Sequence, residues 1–300
     1  MNKGINSTSR FLKFIFYSFL LPLFLIFLMA SMPLIIGNSD GRVRFRFLYL
    51  LLTKDYLKGL FDGSSFIFNV GQFQWHAFKE LPPYFLVTLF YAGISSLIGV
   101  AAGFPIGILR FKKLNSPSQS ILTFIGSIPD FFIILLLQLT AIYFMKFTGR
   151  RLAKIAMTNE LPVLLPLIAM SLYPVVYVTK QVSRAAFEIS SNDYIQFARA
   201  KGITRRKTFI LHLIPALLPG LAADSTKVAM LVLANVFIAE NLFFIKGITH
   251  VMIHFSFQSG GGYQFDFVVT CLLYIFAIYQ IINLLLRLLI RGAASARRFL

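Results

Sequence analysis

The residues able to do chemistry are few and scattered. Of the four histidines, His250 and His254 stand four apart, on one face of any helix that carries them, and could grip a metal ion. A zinc-protease helix with that spacing needs glutamate directly after the first histidine as its base, and Val251 stands there. No third ligand can be placed, so the pair reads as interfacial histidines and no metal site is expected. The single cysteine, Cys271, excludes an internal disulfide and a thiolate cluster. It reads as a small buried hydrophobe. Gly202 is followed by Lys207-Thr208, but a phosphate-binding GxxxxGK[ST] loop starting at 202 needs a second glycine at 207. Ser95, Ser96 and Ser127 are nucleophile types, yet no histidine accompanies them in an apolar stretch and no carboxylates are paired. An intramembrane enzyme therefore lacks its base. Asp224 and Lys227 say more. If the apolar stretch holding them is a helix starting near residue 216, a rise of about 1.5 Å per residue puts them roughly 12–17 Å deep. Charges at that depth face a cavity or each other. They are either a mutually neutralising structural pair or the lining of a path for a zwitterionic solute such as a peptide. Asp130, next to Pro129, is a weaker case of the same kind.

The elements that position these residues follow from composition. The chain is 57% hydrophobic and 13% charged over 300 residues, with 34 phenylalanines. Soluble domains have about 45–50% apolar and about 25% charged residues, so this is an integral membrane protein. Disorder, a coiled coil and a disulfide scaffold are excluded. Crossing the hydrocarbon core takes about 20 mainly apolar residues. Six stretches qualify: Phe11 to Ile36, Tyr84 to Leu109, Gln119 to Met145, Pro162 to Val182, Ala216 to Ala239 and Phe267 to Ile290. No strand-like alternation recurs as in a membrane barrel, so the expected fold is all-α with about six transmembrane helices.

The first stretch follows a basic start (Lys3, Arg10, Lys13), but its apolar run exceeds the 7–15 residues of a signal core. It reads as a retained helix, kinked or ended by Pro22 and Pro33. Residues 1–36 thus form an N-terminal helix, 37–83 an external segment of short elements, and 84–300 a five-helix core with a long loop at 183–215. Gly99, Gly103 and Gly107 let another helix approach closely, within the chain or from a partner. Net charge is +18, from 29 Lys plus Arg against 11 Asp plus Glu. In an apolar chain this means cationic loops beside anionic lipid. With the N-terminus inside, 17 of the basic residues fall on the inner side and 11 on the outer, Lys227 lying within a span. Arg150-Arg151 on the outer side opposes that bias.

The loop at 183–215 has its own pattern. Asn192 or Asp193 can cap a short helix that carries Tyr194, Phe197, Ala198 and Lys201 on one face, and Gly202 can stop it. A second helical stretch runs from about Thr204 to Ile214, and Pro215 opens the fifth span. A short apolar-faced helix with nothing of its own to pack against is either a peg for another protein or a basic amphipathic segment lying on lipid.

Asp193-Tyr194, then Ala198-Arg199-Ala200-Lys201-Gly202, then His212-x-Ile-Pro215 nine residues on, resembles the signature loop of bacterial ABC importer permeases. It is similar most of all to the dipeptide/oligopeptide/nickel branch. The resemblance extends from about Gly71. Leu81-Pro82 with Thr88, Ser127-Ile-Pro129 with Phe131, Leu165-Pro166 with Arg184, and Glu240 with Phe243 and Gly247 follow that branch in order. Lys246 stands where its proline is usual, and its Asp-Pro-Arg near the C-terminus is missing.

The resemblance implies a coupling helix on the cytoplasmic side between spans four and five, seated in a groove of a separate ATPase. By position, Ala198, Ala200 and Gly202 would allow close backbone approach. Arg199 and Lys201 would supply polar contacts, and Glu188 and Asp193 would cap or pair locally. It further implies a second homologous permease, cytoplasmic ATPase subunits carrying the ATP and Mg, and an extracytoplasmic solute-binding protein. No cofactor or covalent chemistry is expected on this chain, nor any nucleic acid. Residence in a bacterial inner membrane, and di- or oligopeptides as cargo, complete the expectation. Nickel or another small solute is the alternative cargo, and a stand-alone secondary transporter the alternative class.

Overall fold

The computed structural model describes residues 16–39, 42–45, 48–70, 73–113, 117–149, 162–202, 204–257 and 262–296. The basic start at Lys3, Arg10 and Lys13 and the pair Arg150-Arg151 lie outside them. Among the described residues, six helices are long and apolar enough to cross a membrane: Phe16–Leu34, Pro82–Arg110, Asp130–Thr148, Leu164–Ser190, Phe209–Leu242 and Phe265–Ser295. The protein is a helical multi-pass membrane protein. Only two small hairpins interrupt the helices among the described residues.

Several spans differ from their expected bounds, the fifth starting two turns earlier, at Phe209, and the third and fourth differing most. The third is not one helix from Gln119. A short helix, Pro117–Ile125, is followed by a break at Gly126–Pro129, and the spanning helix starts at Asp130. Pro129 has no amide hydrogen and disfavours helical geometry at Ile128 before it. The acidic residue then stands in the first turn, where the helix dipole favours negative charge. The fourth span runs on to Ser190, two turns beyond Val182, so Arg184 and Glu188 are helical and the free loop is shorter. In the first and fifth spans, a wide π-type turn at Phe16–Leu20 and at Phe209–Leu213 precedes Pro22 and Pro215. A proline removes one backbone donor, and a widened turn is one way a helix absorbs that loss.

In chain order the elements are α1 (Leu21–Ile35), β1 (Ile36–Ser39), β2 (Arg42–Phe45), α2 (Leu48–Asp62), β3 (Ile67–Val70), β4 (Phe73–His76), α3 (Ala77–Glu80), α4 (Pro82–Arg110) and α5 (Pro117–Ile125). There follow α6 (Asp130–Thr148), α7 (Leu164–Ser190), α8 (Asp193–Ala200), α9 (Arg205–Thr208), α10 (Ile214–Leu242), α11 (Ile248–Phe255) and α12 (Phe265–Ala296). Contacts group them into two units, Met1–Phe85 with Val251–Ala277, and Leu86–His250 with Ile278–Leu300.

The first unit is held by aromatic rings. Tyr56 of α2 is 1% exposed and meets Phe27 and Phe265 edge-on, its hydroxyl 3.3 Å from Thr270 Oγ1. Burial raises the Tyr56 pKa, and the Thr270 bond acts the other way. The Tyr263 hydroxyl donates to the Ala30 carbonyl at 2.6 Å. Antiparallel β3 and β4, with Ile67 opposite His76, bring Phe68 against Phe267 and Trp75 against Tyr84 and Phe255. Edge-to-face rings contribute about 0.5–1.5 kcal/mol per pair beyond the area they bury.

The second unit is built on close helix approach. The face of α4 bearing Gly99, Gly103 and Gly107 lies on α7, against Pro174, Val178 and Val182 in turn. Cβ atoms at 103 and 107 would stand 2.7 and 2.8 Å from the Val178 and Val182 Cβ atoms. The backbones come near enough for Thr179 Oγ1 and Ser183 Oγ to donate to the Gly103 and Gly107 carbonyls at 3.3 and 2.8 Å. The glycine ladder thus serves an intrachain contact. α7 also packs along α10, where Asn235 Nδ2 reaches the Ala169 carbonyl at 3.4 Å. Gln138 of α6 donates to the Leu242 carbonyl at 2.8 Å, satisfying one carbonyl at the end of α10 that has no helical partner.

Candidate functional site

Two features of the second unit concern the residues singled out by the sequence. The first is the segment after α7. The helix α8 begins at Asp193, whose exposed side chain stands in its first turn. The Ile195 amide donates to the Asn192 carbonyl at 3.0 Å and the Lys201 amide to the Phe197 carbonyl at 3.0 Å. Among the described side chains of this helix, Ile195 is the buried one, 1% exposed. With Ile108, Phe111, Thr208 and Leu213 it lines a cavity of about 230 Å³. The expectation that this helix has nothing of its own to pack against therefore needs correction, since Ile195 is buried. Phe197 is 62% exposed and Lys201 stands over its ring, Nζ 4.6 Å from the centroid, a cation–π contact. The faces follow from 100° per residue: Ile195 and Phe197 are two apart and point well away from each other. The side chains of Tyr194, Ala198 and Arg199 lie outside the described residues.

Ala200 and Gly202 are exposed. Gly202 has φ +82°, and nothing lies within 4 Å of the place a Cβ would take. That left-handed conformation ends α8 as a glycine C-cap does. A helical stretch resumes at α9 and passes through Phe209–Leu213 into α10, with Pro215 in the first turn. The glycine is there for its backbone freedom.

The second feature is a cleft between α7 and α10, about 330 Å³ in volume, lined by Gln181, Arg184, Glu188, Gly220 and Asp224 among others. Asp224 is half-buried and accepts from the Tyr177 hydroxyl at 3.2 Å, while Gln181 Nε2 stands 3.5 Å from that hydroxyl. Lys227 is exposed and no ion pair joins it to Asp224. The mutually neutralising pair is not formed. Three residues along a helix carry the second side chain about 60° round the axis, and Tyr177 offers Asp224 a partner on its own face. Glu188 is exposed and lines this cleft, so the structure groups it with Asp224 as well as with the segment it precedes. Asp130 lies elsewhere. The turn before it is held by Tyr173, whose hydroxyl donates to the Ile128 carbonyl.

One cluster had surfaced in the sequence only as a spacing. Glu240, 0% exposed, accepts from Thr88 Oγ1 at 2.5 Å, from Thr249 Oγ1 at 2.5 Å and amide at 2.9 Å, and from the His250 amide at 3.3 Å. Thr88 Oγ1 in turn accepts from the Ile248 amide at 2.9 Å. The carboxylate thereby caps α11 and ties its start to α4. A Cβ at Gly247 would collide with it, which explains the glycine. His250 enters through its backbone, and no group of three metal-binding side chains occurs among the described residues.

Among the described residues, six helices long and apolar enough to cross a membrane, with a short helix between the fourth and fifth, define a helical multi-pass membrane protein. Residues 95–295 match the family described as binding-protein-dependent transport system inner membrane component, and the chain belongs to that family. It is 27% identical over 165 residues to the dipeptide transport system permease protein DppB of Bacillus subtilis (strain 168). That match covers 53% of this chain and 52% of the relative, so the chain spans about half the length of this curated relative. The solved inward-facing conformations of the MetNI methionine ABC transporter overlie 72% of this chain and 93% of that one, with a TM-score of 0.48 and 17% identity.

Proposed function

We propose that this chain is the membrane-spanning permease subunit of an ATP-driven, binding-protein-dependent importer of di- or oligopeptides. The observation that carries the reading is α8. Ile195 fixes it to the membrane-spanning helices while Phe197, Lys201 and Gly202 remain outward, in a chain of the binding-protein-dependent family. A short helix seated from below and bare on top transmits a push without deforming. In this role it enters a groove of a cytoplasmic ATPase that carries ATP and Mg. Small residues sit where the backbones meet and charged ones at the rim. ATP-driven closure of the ATPases moves α8, and with it α7 and α10, so that the membrane helices reorient around the path. A second homologous permease completes the pore, and an extracytoplasmic binding protein delivers cargo. The assembly resides in a bacterial inner membrane with the N-terminus and α8 on the cytoplasmic side. No covalent chemistry falls to this chain.

Peptide as cargo is supported by the named relative and by the mixed charges around the α7–α10 cleft. Arg184 suits a carboxylate, and Asp224 and Glu188 suit an ammonium. Nickel and other small solutes are the competing cargoes. The test is purification of the tagged protein in mild detergent, with identification of co-purifying chains by mass spectrometry, alongside Ala198→Asp/Gly202→Asp. Wild type should bring down an ATPase and a second permease, and the variant should lose the ATPase. A wild-type protein that purifies alone would overturn the reading in favour of a stand-alone secondary transporter.

A further inference from the structure

Arg287, in the second unit, stands in an unusual setting for a cation. Its Nε donates to Ser225 Oγ at 3.2 Å and its Nη2 to Thr226 Oγ1 at 2.8 Å. Asn283 Oδ1 accepts from both hydroxyls, at 2.8 and 3.3 Å. The guanidinium is thus half-buried and held by neutral groups, and among the described residues no carboxylate pairs with it. Arg291 follows one turn later, exposed and likewise unpaired among the described residues. Both open onto a cleft of about 430 Å³ whose other walls include Leu218, Pro219, Ala222 and Ile290. None of the described residues that line it is acidic.

Depth decides what such a cleft meets. Arg287 is 22 residues into α12, about 33 Å along it at 1.5 Å per residue. The hydrocarbon core is about 30 Å thick. The two arginines therefore stand where acyl chains give way to headgroups. Leu284 and Leu288, 59% and 60% exposed, share the face of Arg291 at i, i+4 and i+7 and form an apolar track leading away from it. An arginine already oriented by two hydroxyls keeps other N–H donors free, in a planar fork that matches phosphate oxygens.

We propose that this cleft binds the phosphate of an anionic phospholipid, with the acyl chains along Leu284 and Leu288. The site is independent of which solute the protein carries.

Native mass spectrometry of the purified full-length chain in neutral detergent tests it, with dioleoylphosphatidylglycerol as probe and dioleoylphosphatidylcholine as the zwitterionic comparison. Phosphatidylglycerol should be retained by wild type and bound roughly thirtyfold more weakly by Arg287→Gln/Arg291→Gln, given the attraction of each basic residue for an anionic surface. Ala223→Leu, which fills the cleft without altering charge, should weaken binding too and covers the case in which the double variant fails to fold. Lys112→Gln/Lys207→Gln removes two exposed lysines from outside the cleft and should bind as wild type. Soluble glycerol 3-phosphate should not displace the lipid. Equal loss in the lysine variant would mean diffuse attraction, displacement by glycerol phosphate a soluble-anion site, and unchanged binding by Ala223→Leu no site at all. Any of the three overturns the proposal.

Discussion

Glu240 illustrates how much one side chain can organise. It takes four hydrogen bonds from α4 and α11 while fully buried. Removing an acceptor that leaves buried donors unsatisfied costs about 1–3 kcal/mol for each such group. Glu240→Ala should therefore cost about 3 kcal/mol or more, read as a lowered unfolding temperature in detergent, and Glu240→Gln less, because an amide oxygen still accepts. An unchanged unfolding temperature in the alanine variant would mean that the cluster does not hold the end of α10. Glu240, Phe243 and Gly247 were legible in the sequence as a spacing. That the glutamate collects Thr88, some 150 residues away, was not, because nothing local links the two. The pair Asp224 and Lys227 taught the reverse. Their spacing allowed an ion pair, and the partner that Asp224 takes, Tyr177, comes from another helix.

Among elements, the contact of α4 with α7 is the most constrained. Small residues every fourth position let two backbones meet, which in lipid is a main source of helix association. Gly103→Leu places new atoms against Val178 and the Val175 carbonyl. Overpacking of this sort costs about 1–3 kcal/mol, so the variant should show reduced folded yield and a lower unfolding temperature. Gly93→Leu, on the same helix but with nothing within 4 Å of the added carbon, should behave as wild type. If both variants behave alike, the ladder is not what brings α4 onto α7. The glycine repeat itself was plain in the sequence, whereas its partner was not, since a smooth helix face does not specify what lies on it. The same holds for α8. Its existence followed from a cap, a short apolar pattern and Gly202, but which face is buried depended on the pocket formed by Ile108, Phe111 and Leu213.

On the proposed reading of the molecule as an importer permease, function rests on helices that reorient around a path, and the α7–α10 cleft is the proposed stretch of that path that this chain offers for test. Asp224→Asn keeps the size of the side chain and removes its charge. In cells relying on this system for peptide uptake, it should lower uptake several-fold while membrane abundance stays at the wild-type level. Equal losses of uptake and abundance would assign Asp224 a structural role through Tyr177. The cleft brings Asp224 together with Glu188, a residue that the resemblance had placed with the coupling segment. Because α7 continues to Ser190, the proposed displacement of α8 would be delivered to the helix that lines the cleft.

Composition, the length of apolar runs and local spacing were enough to establish that this is a membrane protein, that six stretches of its sequence are long enough to cross the bilayer, and where a short helix interrupts them. All of these signals act over a turn or two of helix. Packing settled the rest: the break at Gly126–Pro129, the burial of Ile195 on α8, Tyr177 as the partner of Asp224, and the setting of Arg287 among neutral hydroxyls. Each of these depends on which helix face meets which, and that is decided by shape and hydrogen bonding between residues far apart in the chain. Periodicity says only that a face exists.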